Sequence, residues 1–369
     1  MMKDEKARVK YLDLPPGKRI IVISDIHANL PYFKGLLEKL GFCENDELII
    51  CGDFLEKGDD SLGTLRYLMK LCEGGNVHVI CGNCDFWEAL MHEPHGFDNA
   101  HLMYYFLHRT GSVCREMLEA MGFELSEDFD FISYIPELHE RYRREWDFLA
   151  GLPHIIETKH YTFVHGGIDP DIPLSEHGAW QCMKNDAFMT KGFRFSKWVI
   201  VGHWPVMLYL EDRVCADPII DRESRIISID GACVLKDDGQ LNALIIPFDG
   251  SEDFSHVAYG PFPTATALDY QPESKRSYYI RWGDNRVELL SRGEEFSHCR
   301  HIRTGYEMDI LTKYLRFEDG ECTVNDCSDY MPEIFPGDEL SIIERTSRGY
   351  LVKHEGTSGW YYGELEEKQ

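Results

Sequence analysis

The amino-acid sequence predicts a layered α/β core followed by a smaller, mostly β unit. Three observations carry that prediction: Val- and Ile-rich runs of strand length in the first 206 residues, helically spaced segments between them, and short alternating runs near the C terminus. The apolar runs are RIIVISDIH, DELIICGDF, VHVICGNCD, YTFVHGG and KWVIVGHWP, and Gly, Asp or Pro closes each one. They read as buried parallel strands. Each run also stops on a residue able to bind a metal: Asp25 and His27, Asp53, Asn83, His165, and His203. In open α/β sheets ligands collect beyond the carboxyl ends of the strands, so these ends describe a polynuclear metal site.

Taken in order, residues 1–18 are charged and lack the apolar region of a secretion signal, and read as an N-terminal arm. PYFKGLLEKLGF has helical spacing with Gly41 as its stop, and SLGTLRYLMKLCEGG repeats the pattern after the second strand. Strand–helix alternation of this kind builds a layered α/β domain. From Phe86 to Gly151 strands give way to helical segments, an insertion over 86–151 that serves as a cap beside a cleft or as plain packing. RIISIDGACV (225–234) and LNALIIPFDG (241–250) add two strands and complete a core domain over 19–255. The Pro-, Ala-, Thr- and Ser-rich stretch 256–276 reads as a linker. In the remaining 277–369, GDELSIIER, GYLVKHEG and GWYYGEL alternate over short lengths, as in a small antiparallel barrel.

The formal net charge is -26, from 64 acidic against 38 basic residues. Such a surface repels nucleic-acid backbones and anionic membranes, which excludes both as partners. An anionic substrate must then be drawn in by local positive charge, which bound cations would supply. No run approaches the roughly 18 apolar residues of a membrane span. The 12 cysteines read as reduced thiols of a cytoplasmic protein. Cys51, Cys81, Cys215 and Cys233 fall in or beside strands, where a thiol acts as a small hydrophobe.

Asp25 and His27 lie two apart at a strand end and present their side chains to one side. The two oxygens of Asp53 suit a bridge between cations roughly 3.5–4 Å apart, and Asn83, His165 and His203 would complete the second position. A mixed oxygen and imidazole set suits Mn, Fe, Zn or Ni better than Ca or Mg. Singly, each residue has a plain reading as a turn aspartate or a satisfied polar group. Repetition at every strand end is what selects a metal centre.

These elements (D-I-H, G-D-F-L-E-K-G, G-N-C-D, V-H-G-G, G-H-W-P and I-D-G-A) resemble the calcineurin-like metallophosphoesterase superfamily. The last three are most similar to its phosphoprotein phosphatase branch, which includes bacterial serine/threonine phosphatases and diadenosine tetraphosphatases. The resemblance spans roughly residues 19–250 and leaves the insertion uncovered. It implies a β-sandwich flanked by helices and a dinuclear centre, with manganese the first choice. Asp25, His27 and Asp53 would hold one cation; Asp53, Asn83, His165 and His203 would hold the other. The implied reaction is in-line attack on phosphorus by a bridging hydroxide, with the cations neutralising charge on the phosphoryl oxygens.

Three positions depart from the family pattern, and they are the candidate catalytic residues. Cys84 stands where relatives carry a histidine that protonates the leaving group, and a thiol of pKa about 8.5 is the weaker donor near neutrality. Lys57 replaces a phosphate-clamping arginine, offering a point charge instead of a bidentate fork. Glu56 replaces the aspartate that supports the missing histidine. Either the leaving group needs little acid help, or Glu56 itself donates. Cys81 and Cys84 also form a C-x-x-C pair, whose redox or zinc reading lacks a second such pair.

Other features are open. Arg141, Arg143 and Arg144 around Tyr142 form a solvated helix face or a substrate-facing rim. His92, His95 and His177 are surface histidines or reach the cleft, and Asp230 lines the site or makes a turn. Trp360, Tyr361 and Tyr362, in a stretch faintly similar to Src-homology-type barrels, either pack a core or form a peptide-binding patch.

The function expected is a metal-dependent phosphoesterase, first a serine/threonine phosphatase-like phosphomonoesterase acting on a phosphoprotein, nucleotide or small molecule. The sibling readings are a dinucleoside polyphosphate hydrolase and a phosphodiesterase. The rival from another class is a weakened phospho-binding scaffold whose tail recruits a protein partner.

Overall fold

Alternation within the apolar strands decides the layering. In the run 19–23, Ile20 and Val22 point one way and Ile21 and Ile23 the other, as successive side chains of a strand must. Ile20 and Val22 join Ile49, Phe163, Ile200 and Leu244 in one buried cluster. Ile21 and Ile23 pack instead with Phe33, Leu36 and Leu65 of the neighbouring helices. A strand buried on both faces is thereby shared between two cores.

The structure, a computed structural model, describes residues 5–87, 98–109, 111–318 and 320–367. The chain forms two compact units. The first takes in residues up to Pro205, Pro218–Leu235 and Gly239–Gly260; the second takes in Val206–Asp217, Lys236–Asp238 and the chain from Pro261.

The strands of the first unit are β1 (Val9–Tyr11), β2 (Arg19–Ile23), β3 (Asp46–Ile50), β4 (Val77–Val79), β5 (Ile155–Glu157), β6 (Tyr161–Val164), β7 (Trp198–Val201), β8 (Ile219–Asp221), β9 (Ile226–Ser228), β10 (Leu241–Ile246) and β11 (Ser255–Tyr259). One sheet has the order β11-β10-β2-β3-β4, the other β1-β5-β6-β7-β9-β8. The five ligand-bearing runs are parallel to one another only within each sheet: β2, β3 and β4 in the first, β6 and β7 in the second. The sequence expectation of parallel strands holds locally, and the architecture is a two-sheet sandwich. Its inner faces enclose the cluster of Ile20, Val22, Phe163 and Ile200.

Helices cover the outer face of the first sheet. Helix α1 (Leu30–Leu40) starts where the Asn29 side chain accepts from the Tyr32 amide, and stops at Gly41, whose φ of 59° is left-handed. It buries Phe33, Leu36, Leu37 and Leu40, the spacing of one helical face. Helix α2 (Ser61–Cys72) is capped by Asp60 and buries Leu62, Leu65 and Leu68. The insertion supplies α3 (Asn99–His108), α4 (Val113–Ala120), α5 (Phe131–Arg141) and α6 (Arg143–Ala150). Phe106, Met117, Phe131, Leu138 and Trp146 are buried in the same cluster as Phe33 and Leu65. The insertion therefore extends the helical layer.

Two segments differ from the sequence reading. The N-terminal arm is stitched into the second sheet, with β1 paired in parallel to β5 and the Ala7 amide donating to the His177 carbonyl at 2.9 Å. The stretch read as a linker contains β11 of the first unit and the strand Thr264–Ala267 of the second. Backbone pairing outweighs the Pro- and Thr-rich composition there.

The second unit holds an antiparallel sheet in the order Leu365–Glu367, Thr264–Ala267, Glu339–Arg345, Tyr350–His354, Thr357–Tyr361, Val214–Cys215. That order has two ends, so the expected barrel is not closed among the described residues. Ala265, Ile334, Leu340, Val352 and Tyr361 form its core. A meander of Val287–Ser291, Phe296–His301 and Glu307–Leu311 builds a second small core around Cys299, Met308 and Ile310.

Candidate metal centre

Each candidate ligand lies just past a strand, where the backbone turns sharply. Asp25, His27, Asp53 and His203 have φ of 55°, 48°, 50° and 67°. Left-handed backbone costs a non-glycine residue roughly 1–2 kcal/mol, and such strain clusters at functional sites. The glycines of the motifs allow close approach. A Cβ on Gly82 would collide with Asp53 Oδ1, and one on Gly202 with Ser24 Oγ and Asp25 Oδ2.

The turns bring the side chains together. His27 Nε2 is 3.7 Å from Asp25 Oδ1 and 4.0 Å from Asp53 Oδ2. The other oxygen of Asp53 is 3.1 Å from His165 Nε2. Asp53 thus faces a histidine with each oxygen, the disposition a bridging carboxylate needs. The His165 and His203 rings are 5.2 Å apart, and Asp53, His165 and His203 each offer a ligand atom within 4.8 Å of the others. Asn83 directs its Nδ2 to Cys84 Sγ at 3.3 Å. Asp25 Oδ1 and Asn83 Oδ1 are buried without a hydrogen-bond partner. Buried polar atoms are normally satisfied, and this group of orphaned acceptors from separate strands fits divalent cations.

The histidines are held from behind. His165 Nδ1 lies 2.7 Å from the Cys51 carbonyl, leaving Nε2 toward Asp53. His203 Nε2 is 2.7 Å from Asp186 Oδ1, so its ring has Nδ1 to offer. Metal-binding imidazoles commonly use their second nitrogen in this way.

Burial raises the Asp25 carboxyl to about 6, against the pull of His165. Burial acts in the same sense on Asp53, but His165, His27 and Lys57 outweigh it and hold that carboxyl well below its usual range. Burial opposes charge on His165, yet Asp53 and Asp25 prevail and lift it to about 10. His27 is pushed down to about 3 by burial and by Lys57, and His203 to about 4 by burial and by His165. The pocket favours neutral His27 and His203, the state in which imidazole binds metals, whereas His165 holds a proton that a cation would have to displace.

The three departures from the family pattern fall in different places. Cys84 Sγ belongs to the cluster, within 4.8 Å of ligand atoms of His27 and Asp53. Its thiol is pushed well up by burial and by Asp53. Lys57 Nζ is 3.3 Å from His27 Nε2. Glu56 is fully buried against the insertion, where it accepts from the Val113 amide at 2.8 Å and the Tyr105 hydroxyl at 2.9 Å.

Three supporting residues were given no role by the sequence reading. Asp85 accepts from the amides of Asp53 at 2.7 Å, Gly82 at 2.9 Å, Phe54 at 3.1 Å and Leu55 at 3.0 Å, and so clamps the loop that carries the bridging candidate. Its position in G-N-C-D was the available signal. Asp186 and Tyr105 lie in segments without a motif.

Among the open candidates, Asp230 is buried with Oδ2 unpartnered and feels the charges of Asp25 and Lys57, which places it at the cluster. His177 accepts from the Asp169 amide at 2.9 Å within a turn. Arg141, Arg143 and Arg144 are exposed around a buried Tyr142, as on a solvated helix face. His92 and His95 lie outside the described residues. Cys81 and Cys84 are not joined in a disulfide. In the second unit Trp360 and Tyr361 are buried in packing, and Tyr362 is 52% exposed.

Comparison with known proteins bears on this arrangement. The symmetrical bis(5'-nucleosyl)-tetraphosphatase of Wigglesworthia glossinidia brevipalpis is 41% identical over 63 residues, 17% of this chain and 22% of the relative. The chain thus matches about a fifth of that relative's length. A solved structure provisionally named a diadenosine tetraphosphatase is 20% identical, with 69% of this chain and 99% of that one covered at a TM-score of 0.45. A serine/threonine phosphatase from Saccharomyces cerevisiae is 12% identical, with 70% and 85% covered at a TM-score of 0.42. The model of the calcineurin-like phosphoesterases matches residues 18–224, more than half of the chain, and takes in strands β2 to β8 of the first unit. The chain is a member of the calcineurin-like phosphoesterase family.

Proposed function

We propose that the first unit hydrolyses phosphoesters or phosphoanhydrides with two divalent cations held by Asp25, His27, Asp53, Asn83, His165 and His203. The observation that carries this reading is the Asp53 carboxylate, with one oxygen toward His27 and the other toward His165. When bound, the cations would supply Lewis-acid charge to a phosphoryl group and lower the pKa of water. Asp85 keeps Asp53 in register through the amides it accepts. The Cys51 carbonyl and Asp186 orient His165 and His203. Lys57 is the lysine in contact with a candidate ligand, and its mobile ammonium suits a phosphoryl oxygen.

The leaving group separates the sibling readings. Cys84 is a poor acid, made poorer by burial, and Glu56 is committed to Tyr105 and Val113. A site so equipped suits a leaving group that departs without strong protonation, such as a nucleoside phosphate, better than the alkoxide of serine or threonine. The named activity of the tetraphosphatase relatives agrees with that preference. A dinucleoside polyphosphate is therefore the first substrate to test and a phosphoserine peptide the second. Metal-stripped protein reloaded with Mn²⁺ should cleave diadenosine tetraphosphate faster than phosphoserine peptide. The opposite order contradicts the leaving-group argument, and inactivity toward both, and toward p-nitrophenyl phosphate and its bis-ester, supports the scaffold reading.

A further inference from the structure

Lys57 takes the place of a phosphate clamp, yet its ammonium is turned inward. Nζ lies 3.3 Å from His27 Nε2, and Cys84, Asp53, Asp25 and Asp230 all act on its charge. These are the groups that surround the first cation position. The far ring nitrogen, His27 Nδ1, faces the Leu55 carbonyl at 3.5 Å, so the lone pair available to the ammonium is on Nε2. One lone pair serves one partner. It accepts from the ammonium, or it binds a cation at about 2.0–2.1 Å, and a cation there would also meet the positive charge of Nζ. The other half of the cluster has no lysine on its ligand atoms. No ammonium is hydrogen-bonded to Asn83, His165 or His203 among the described residues, Asn83 Oδ1 is buried without a hydrogen-bond partner, and His165 Nε2 faces only Asp53 Oδ1 at 3.1 Å.

Resting on the dinuclear reading, we propose that the Lys57 ammonium is the resting occupant of the first cation position, so that the two halves load unequally. The half built from Asp53, Asn83, His165 and His203 takes a cation in exchange for a proton, with no side-chain ammonium to move aside. The half built from Asp25, His27 and Asp53 takes one only as Lys57 leaves. A phosphoryl group supplies the counter-charge that draws the ammonium off, and the flexible lysine stem permits the move. Linkage makes this reciprocal: phosphate tightens the first cation, and the first cation tightens phosphate. An arginine-for-lysine difference at this position thus changes the order of assembly as well as the grip on substrate.

The test is equilibrium Mn²⁺ binding to the metal-stripped full chain, read as free Mn²⁺, for wild type and Lys57→Met. Wild type should show one tight site and one at least about tenfold weaker, as expected when a like charge must be displaced. Lys57→Met should tighten the weak site by about tenfold or more and leave the tight one within a few-fold. Inorganic phosphate should tighten the weak site more in wild type than in the variant. Lys57→Gly is the second variant, because glycine is unstrained at the φ of 73° found there. Two equally tight sites in wild type, or a weak site unmoved in a folded Lys57 variant, overturns the inference and leaves the dinuclear reading standing. Absence of Mn²⁺ binding to wild type overturns both.

Discussion

The two units handle charge in opposite ways. In the first, Asp25, Asp53, Glu56, Asp85, Asp230, His27 and His165 are all buried. In the second, no carboxylate is buried among the described residues, and several acidic groups make exposed pairs. Arg300 bridges Glu288 at 2.9 Å and Glu307 at 2.8 Å, and Arg348 meets Asp309 at 2.6 Å, all at the surface. Exposed pairs contribute little, on the order of 0–1 kcal/mol each. Buried carboxylates without partners cost several kcal/mol, by order of magnitude, unless something compensates them. Asp25 and Asp230 of the first unit keep unpartnered oxygens, which a bound cation would compensate, so the placement of charge supports the reading that the chemistry belongs to that unit.

The contrast can be broken most severely at its centre. Asp53→Asn leaves one oxygen where two are needed and should lower phosphoester turnover by roughly 10³-fold or more. Steady-state rates over a range of Mn²⁺ concentrations check this, and rates within tenfold of wild type contradict it. In the second unit the large effect should come from packing. Trp360 is buried and donates from Nε1 to the Ser328 carbonyl at 2.9 Å. Trp360→Ala should cost about 3–5 kcal/mol in denaturant unfolding. Tyr362→Ala, at an exposed neighbour, should stay within about 1 kcal/mol. Equal costs contradict the packing assignment.

A smaller effect sharpens the comparison through pH. Burial raises the Glu56 carboxyl to about 8, although Val113 and Tyr105 donate to it. Its value in the unfolded chain is near 4.3. The folded state therefore holds a proton that the unfolded state has lost over that interval. The contribution of Glu56 to stability is complete below about pH 4.3 and fades as pH rises through about 8. Glu56→Gln, which cannot titrate, should gain on wild type in urea midpoint between pH 5 and pH 9. A constant difference between the two proteins shows that Glu56 does not titrate in this range. Smallest of all, Arg300→Ala should change stability by less than about 1 kcal/mol and leave turnover unchanged.

What the sequence made legible was local. A Val- and Ile-rich run closed by Gly-Asp, Gly-Asn or Gly-His carries both the strand and the ligand, so Asp53, Asn83 and His203 were readable with their surroundings. The helices α1 and α2 were readable from Gly41, from the glycines after Cys72 and from their apolar spacing. What escaped depends on contacts distant in the chain. A β2 strand buried on both faces looks the same in one sheet or between two, so the sandwich came from the resemblance and not from the pattern. β1 is only three residues long, and its place at a sheet edge is set by pairing with β5 more than 140 residues away. Asp186 and Tyr105 act on His203 and Glu56 across 17 and 49 positions and belong to no local pattern. The inward turn of Lys57 is likewise a tertiary fact: its motif announces a phosphate clamp, while the surrounding carboxylates decide where the ammonium rests.

The most direct test of the central claim is restoration of phosphoester turnover to metal-stripped protein by added Mn²⁺, measured side by side for wild type, Asp53→Asn and His165→Ala. Recovery in wild type, with both variants folded and inactive, is the result predicted here. Turnover that persists without divalent cations, or that survives in either variant, contradicts a centre assembled from these strand ends.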